Sequence, residues 1–201
     1  MLIGLNGWPS SGKDTVAGIL VDELGYRQYA LADKVREALY LINPLVVSGG
    51  ASGDLRVRDV VDRHGWDKAK RHPAFGTEIR QLMQRVGTES ARTVFGDAVW
   101  VDTLSSTVDR DLRITHDDSP RGVVVSDVRL TNEAEWVIER GGVVVRIERA
   151  GIGPVNNHAS EQPLPVALIG ATVANNGSLV ELRAAVLHLA EKLLNPALAT
   201  A

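Results

Sequence analysis

The sequence predicts an α/β fold with a five-stranded parallel sheet between two layers of helices. Five short runs of apolar and β-branched residues have the length of strands, and four of them are followed by a segment with helical spacing. The strand-like runs are 2–5, 26–31, 123–125, 143–147 and 171–174, and the helical segments are 14–24, 33–42, 132–140 and 179–194. Strands that are apolar on both faces and alternate with helices indicate a parallel sheet covered on two sides.

Two of the predicted helix starts have the spacing of a capping box. In that motif a polar N-cap side chain and an acid three residues later each bond the other's backbone N–H. Asn132 with Glu135, and Ser178 with Glu181, have this spacing. The two pairs place the start of the helix after the third strand and the start of the last helix.

Two insertions interrupt the alternation of strands and helices. The first lies at about 46–112, is helical from residue 56 onward, and is expected to cap one edge of the sheet. The second, at about 148–165, is rich in Gly, Pro and Asn and is expected to be a mobile lid. We therefore expect a single domain whose core is formed by 1–45 and 113–201.

The composition excludes several classes of function. Cysteine is absent from the 201 residues, which rules out disulfides, thiolate zinc sites and thiol nucleophiles and favours a reducing cytoplasm. The first residues lack the basic region of a signal peptide, and we expect neither a secretion signal nor a membrane span. The net charge of −3 argues against general nucleic-acid binding, although residues 56–92 hold nine Lys and Arg against five Asp and Glu.

The strongest motif is Gly-Trp-Pro-Ser-Ser-Gly-Lys-Asp-Thr at 7–15, between the first strand and the first helix. This is the phosphate-binding loop, or P-loop, in its required context. Its glycines let backbone N–H groups converge on phosphate oxygens, the helix N-terminus adds partial positive charge, and Lys13 reaches the transferring phosphate. The residues assigned to nucleotide binding are Gly7, Ser10, Ser11, Gly12, Lys13, Asp14, Thr15 and, after the fifth strand, Asn175.

The position after the P-loop lysine departs from the common pattern. Asp14 stands where Ser or Thr usually binds magnesium, and Thr15 follows one place later. Either residue can supply an oxygen ligand to Mg²⁺. In the alternative for Asp14, it only caps the helix while Thr15 coordinates the metal.

An acid and a base follow the third strand. In an open parallel sheet ligands bind off the carboxyl ends of the strands, so we expect Asp127 and Arg129 beside the P-loop. Asp127 then holds a magnesium-bound water or the acceptor, and Arg129 neutralises phosphate charge. The alternative is a surface salt bridge after a strand end.

Two arginines flank the second insertion. Arg146 and Arg149 lie beside a flexible loop, as a lid requires if it is to stabilise charge on a transferring phosphoryl group. With Lys13 and Arg129 they form the predicted catalytic set. His158, further along this loop, is either a metal ligand or base, or an ordinary polar-loop residue.

The first insertion carries the candidate acceptor site. Arg80, Gln84 and Glu89 suit the phosphate, base edge and sugar of a nucleoside monophosphate, although each alone reads as a solvated helix residue. Arg92 belongs to the same cluster. Trp100 is either a stacking platform for the base or part of the core.

Several segments in this order and spacing resemble the phage deoxynucleoside monophosphate kinases, within the adenylate-kinase-like P-loop kinases. The resemblance covers nearly the whole chain. Its segments are Gly12-Lys13-Asp14-Thr15-Val16-Ala17, Ala32-Asp33-Lys34, Gly65-Trp66-Asp67, Gln84 with Gly87-Thr88-Glu89 and Arg92, Trp100-Val101-Asp102, Asp127-Val128-Arg129 with Asn132-Glu133-Ala134, and His158-Ala159-Ser160-Glu161.

The resemblance implies Mg²⁺-dependent transfer from ATP to deoxynucleoside monophosphates (dNMPs), giving diphosphates. It adds Lys34 and Glu161 to the candidate acceptor residues. It also implies that an aspartate at the position of Asp14, where the metal binds, is usual in this family. It also points to a phage or prophage origin, action in the host cytoplasm, and a homodimer. Two rival functions stay open: a P-loop kinase for dephospho-coenzyme A or phosphomevalonate, and a non-catalytic nucleotide switch.

Overall fold

Five parallel strands form one sheet in the computed structural model, which describes residues 1–50, 53–113, 120–154 and 162–195. Their order is β2-β5-β1-β6-β7, and a separate two-stranded antiparallel hairpin pairs β3 with β4. The strands are β1 Leu2–Asn6, β2 Tyr26–Tyr29, β3 Leu45–Gly50, β4 Gly53–Arg56, β5 Gly122–Val125, β6 Val143–Glu148 and β7 Ala171–Ala174. The predicted five-stranded parallel sheet is confirmed.

The described residues also form eight α-helices, which include the four predicted ones. The helices are α1 Lys13–Leu24, α2 Leu31–Ile42, α3 Val57–Arg71, α4 Gly76–Gln84, α5 Ala91–Phe95, α6 Val99–Arg113, α7 Thr131–Glu139 and α8 Leu179–Leu194. A π-helical turn over Arg85–Ser90 joins α4 to α5, and a 3₁₀ turn covers Val166–Leu168. In the described part of the chain, no helix combines the length and the apolar character needed to cross a membrane.

The chain divides into two compact units. One consists of Met1–Leu31 with Val101–Ala201, and the other of Ala32–Trp100. The whole five-stranded sheet lies in the first unit, and the β3–β4 hairpin lies in the second.

Helices cover both faces of the sheet in the first unit. On one face, α1 and α8 bury a continuous core against β1, β5, β6 and β7, with Leu5 and Leu20 almost inaccessible to solvent. On the other face α7 packs so closely that a Cβ added at Gly4 would lie 3.0 Å from a methyl group of Val137. Trp136 of α7 donates to Ser105 of α6 at 2.8 Å, which joins the two helices of this layer. The three-layer α/β/α class is therefore confirmed.

The second unit has its own apolar core, built from α2, the hairpin, α3 and α4. Leu39, Val57 and Ile79 are fully buried there. Gly65 interrupts α3 with φ 72°, a left-handed conformation that glycine adopts without steric cost. The β3–β4 hairpin was not predicted, although its local signal was a β-branched run followed by several glycines in the sequence.

The predicted cap of α7 is wrong, whereas that of α8 is confirmed. Ser178 accepts the Glu181 N–H at 3.3 Å, and Glu181 accepts the Ser178 N–H at 2.7 Å. In α7 the helix starts earlier, at Thr131, because Glu133 accepts the Leu130 N–H at 3.1 Å. Glu135, the predicted partner, is exposed.

Candidate functional site

The P-loop is shaped by three residues with positive φ. Gly7 has φ 143°, Ser10 has φ 65° and Gly12 has φ 105°. A Cβ on Gly7 would lie 2.5 Å from the carbonyl oxygen of Ile147, and one on Gly12 would lie 2.3 Å from Nδ2 of Asn175. Both glycines are therefore required by backbone conformation and by space.

The P-loop leads directly into α1, and the N-terminus of that helix has the geometry of an anion-binding site. Gly12 is the N-cap, so the first N–H groups of α1 have no partner within the helix. Lys13 is 9% exposed, and its Nζ donates to the carbonyl oxygens of Gly7 at 2.7 Å and Trp8 at 2.8 Å. The ammonium group therefore lies over the loop, where a bound phosphate would meet it.

Ser11 contributes a buried hydroxyl to the same loop. The residue is inaccessible to solvent, and its Oγ has no hydrogen-bond partner among the described residues. A buried hydroxyl without a partner costs free energy unless a ligand or water satisfies it. The donor set of the loop thus fits an anionic ligand.

A cleft of about 170 Å³ opens beside the P-loop. Its wall contains two of the predicted catalytic arginines, Arg129 and Arg146. Strand order explains their meeting: β6 pairs with β1 so that Arg146 lies opposite Asn6, and Arg129 follows β5 on the other side of β1. The lining residues are Asn6, Gly7, Trp8, Pro9, Arg129, Arg146, Ile147, Glu148, Gln162 and Pro163.

Arg149 and Asp127, which were also predicted to lie at this site, are not part of the cleft wall. Arg149 is exposed and does not line the cleft. Asp127 accepts the Leu31 N–H at 2.7 Å, so one carboxylate oxygen has a structural partner. Arg146 also has one, because its Nη2 donates to the Leu164 carbonyl at 2.9 Å.

Asn175 is held against the P-loop. Its Nδ2 donates to the Ser11 carbonyl at 2.8 Å, and its backbone N–H donates to the backbone carbonyl of Glu148 at 2.7 Å. Asp14 and Thr15 are both exposed on the first turn of α1. Both side chains therefore present an oxygen that could bind a metal ion beside the P-loop.

The candidate acceptor residues of the second unit differ in exposure. Arg80 is exposed although its neighbour Ile79 is fully buried, and Gln84 is half-buried. Glu89 is exposed, within the π-helical turn. π-Helical turns are rare in proteins, and many of those that are known lie at functional sites. Lys34 is exposed and pairs with Glu37 one helical turn away.

Two further candidates of this unit are buried. Arg92 is 8% exposed, and its Nη1 donates to the Asp97 carbonyl. Trp100 is 7% exposed and its Nε1 donates to the Gly87 carbonyl at 2.6 Å, which fits the core-filling alternative. Glu161 and His158 lie outside the described residues.

The sequence did not predict a buried acid on α6 that bonds to residues of β2. Asp111 is 1% exposed and accepts hydrogen bonds from Tyr29 at 2.6 Å, Arg27 at 2.9 Å and Arg110 at 3.2 Å. Burial alone would raise the pKa of Asp111, but these three donors outweigh it and lower the pKa. No local pattern predicts this cluster, because Tyr29 and Arg27 lie 82 and 84 residues from Asp111 in the sequence.

Comparison with known proteins identifies relatives that match most of the chain. The profile of the family described as "Deoxynucleotide monophosphate kinase" matches residues 67–186. A protein of Acanthamoeba polyphaga mimivirus, named for the same activity, is 30% identical over 193 residues, which cover 90% of this chain and 91% of the relative. The deoxynucleoside-5'-monophosphate kinase of Escherichia phage T5 is 24% identical and covers 87% of this chain and 89% of its own. Among solved structures, dephospho-CoA kinase from Campylobacter jejuni aligns over 96% of both chains, with a TM-score of 0.47 and 11% identity.

Proposed function

Because this chain belongs to the deoxynucleotide monophosphate kinase family, we propose that it transfers the γ-phosphoryl group of ATP to a deoxynucleoside monophosphate. The products are ADP and the deoxynucleoside diphosphate. The observation that carries the proposal is the convergence of Arg129 and Arg146 on one cleft with the P-loop. Two anionic phosphates must meet in such a reaction, and fixed cations lower the electrostatic cost.

The donor triphosphate binds at the P-loop. Backbone N–H groups at the start of α1 hold its phosphate oxygens, and Lys13 exchanges the carbonyls of Gly7 and Trp8 for the β- and γ-phosphates. The buried Ser11 hydroxyl supplies one more donor to this site. Asn175 supports the site indirectly, because its side-chain amide donates a hydrogen bond to the Ser11 carbonyl.

The first turn of α1 fits a magnesium ion that accompanies ATP. Asp14 and Thr15 expose a carboxylate and a hydroxyl there, and Mg²⁺ takes one or two protein oxygens together with substrate phosphates and water. When bound, magnesium neutralises charge on the phosphates. One of these two residues would hold it.

Transfer is direct and in line. An oxygen of the acceptor phosphate attacks the γ-phosphorus while the bond from that phosphorus to the bridging oxygen of ADP breaks, so no covalent enzyme intermediate forms. Arg129 and Arg146, which line the cleft, neutralise the equatorial oxygens in the transition state. Arg149, which is exposed outside the cleft, stays a candidate for the same role. Lys13 follows the transferring group.

Acceptor binding is assigned to the second unit. Arg80 is the residue proposed for the acceptor phosphate, because it is exposed on α4 beside the fully buried Ile79. The remaining acceptor candidates are Lys34, Gln84, Glu89, Arg92 and Trp100 of the same unit, together with Asp127 and Glu161 from outside it. Host cytoplasm as the place of action and the homodimer stay predictions.

A coupled assay of ADP release tests the proposed function. ATP and Mg²⁺ are supplied with dAMP, dGMP, dCMP or dTMP, and with dephospho-coenzyme A, phosphomevalonate or no acceptor. We expect turnover with at least one deoxynucleoside monophosphate that Arg146→Ala lowers by about 100-fold or more. Arg183→Ala is the matched control, because Arg183 pairs with Glu23 at 2.7 Å away from the cleft.

The acceptor panel separates the rivals. Turnover with a different phosphorylated acceptor, and none with the four monophosphates, would replace the proposed substrate class. ATP binding without transfer to any acceptor would indicate a nucleotide switch.

A further inference from the structure

The N-terminus of α7 contains a buried carboxylate that the reaction outlined above does not use. Glu133 is 4% exposed. Its Oε2 accepts two backbone hydrogen bonds, from Arg129 at 2.7 Å and from Leu130 at 3.1 Å. A buried carboxylate is costly unless it is paired and hydrogen-bonded, so these contacts fix its place.

An ordinary helix cap accounts for only one of the two bonds. A glutamate at the third helical position commonly accepts the N–H of the N-cap, which here is Leu130. The shorter bond goes to Arg129, which precedes the cap and lies outside the helix. Glu133 therefore also fixes the peptide group of the residue whose side chain enters the cleft.

The residue before Arg129 is held by β1. The backbone N–H of Val128 donates to Leu5 at 3.0 Å, and its carbonyl accepts from Nδ2 of Asn6 at 2.9 Å. Val128 is thus held by β1 and Leu130 by the helix cap. The Val128 carbonyl and the Arg129 N–H belong to one planar peptide group, which Asn6 holds at its oxygen and Glu133 holds at its nitrogen.

We infer that Glu133 is a positioning residue for Arg129, and that it acts on phosphoryl transfer by fixing the backbone from which the guanidinium reaches the cleft. This inference rests on the proposed function. Catalytic groups must be held within a fraction of an ångström, and such positions are set by supporting hydrogen bonds. Glu133 itself touches no substrate.

A double-mutant cycle tests the inference on the full chain. Glu133→Ala is expected to lower kcat by about 10- to 100-fold while changing the KM for ATP by less than about threefold. In an Arg129→Ala background the same change should cost less than about twofold, because the group that it positions is gone. An unchanged kcat, or an equal loss in both backgrounds, would overturn the inference.

Conservative variants separate positioning from folding. Glu133→Gln keeps an oxygen that accepts both N–H groups, and should recover most of the kcat lost in Glu133→Ala. Glu135→Ala, an exposed acid two residues along the same helix, is the matched control and should leave kcat unchanged. If Glu133→Ala does not fold, Glu133→Asp, whose shorter side chain cannot reach both N–H groups, takes its place in the cycle.

An activity-independent measurement separates this inference from the proposed function. The Nε–H signal of Arg129 in a ¹⁵N spectrum, assigned by its loss in Arg129→Ala, should shift or broaden in Glu133→Ala but not in Glu135→Ala. If the wild-type protein phosphorylates no monophosphate, the proposed function fails while this signal still decides the positioning. An unaltered signal in Glu133→Ala refutes the positioning role alone.

Discussion

Replacing Gly12 by Ala is the most direct test of how the P-loop is held. Gly12 is the N-cap of α1 with φ 105° and ψ 14°. Its added Cβ would lie 2.3 Å from Nδ2 of Asn175, the atom that donates to the Ser11 carbonyl. The variant therefore introduces backbone strain and also displaces the amide that supports the loop.

The two costs can be estimated separately. A non-glycine residue in this region of φ and ψ costs about 1–3 kcal/mol. Loss of the hydrogen bond from Asn175 to Ser11 costs about 1 kcal/mol. We expect Gly12→Ala to lower the free energy of unfolding by about 2–4 kcal/mol and Asn175→Ala by about 1 kcal/mol.

The double variant separates strain from displacement. In Gly12→Ala/Asn175→Ala the same hydrogen bond is lost only once. The free energy of unfolding of the double variant should therefore match that of Gly12→Ala alone, which is a coupling of about 1 kcal/mol between the two substitutions. Gly7→Ala is the control, because its Cβ meets the backbone oxygen of Ile147 at 2.5 Å and gains no relief from Asn175→Ala.

Urea unfolding, followed by circular dichroism at constant pH, measures the wild type, the three single variants and the double variants that combine Asn175→Ala with Gly12→Ala or with Gly7→Ala. Additivity of Gly12→Ala and Asn175→Ala to within about 0.3 kcal/mol would refute the reasoning. So would a coupling of equal size between Gly7→Ala and Asn175→Ala.

Four further predictions concern the site and its support. Lys13→Ala should fold normally, by circular dichroism, but lose roughly a thousandfold in kcat, because it removes the cation that follows the phosphoryl group. Asp14→Asn should raise the magnesium concentration needed for half-maximal activity if Asp14 binds the metal, and should be nearly silent if Asp14 only caps the helix. Arg80→Ala should weaken dNMP binding by about 1.5–3 kcal/mol in calorimetry and leave ATP binding unchanged. Asp111→Asn should lower the free energy of unfolding at neutral pH, and the difference from wild type should shrink as the pH falls below about 4. The sign follows from the lowered pKa of Asp111: its stabilising contribution is complete above the unfolded-state pKa and disappears as the pH falls through the folded-state value.

Each of these predictions has a contradicting result. Retention of more than about a tenth of the activity in Lys13→Ala would remove Lys13 from the phosphate contacts, and an unshifted magnesium titration would remove Asp14 from the metal site. Equal loss of both ligands in Arg80→Ala would indicate a folding defect, for which exposed Arg85 supplies the matched Ala control. A stability difference for Asp111→Asn that persists undiminished into acid would show that its carboxylate is not the stabilising form.

The sequence alone determined the features that depend on neighbouring residues. The P-loop could be predicted because its glycines, its lysine and the strand and helix around it are contiguous. Strands β1, β5 and β6 could be predicted because apolar, β-branched runs of this length suit a sheet that is buried on both faces. The cap of α8 could be predicted because Ser178 and Glu181 meet within one helical turn.

Tertiary structure decided which distant residues meet. Arg146 reaches the P-loop because β6 pairs with β1, and strand order is not encoded in any single strand. Glu133 rather than Glu135 caps α7, because the helix begins at Thr131 and Glu133 is then within reach of the Leu130 and Arg129 N–H groups. Asp111 is stabilised by donors from β2 far along the chain. In each case the bonding partner is brought into reach by chain packing, because the energy of a buried hydrogen bond depends on distances that only the folded backbone sets.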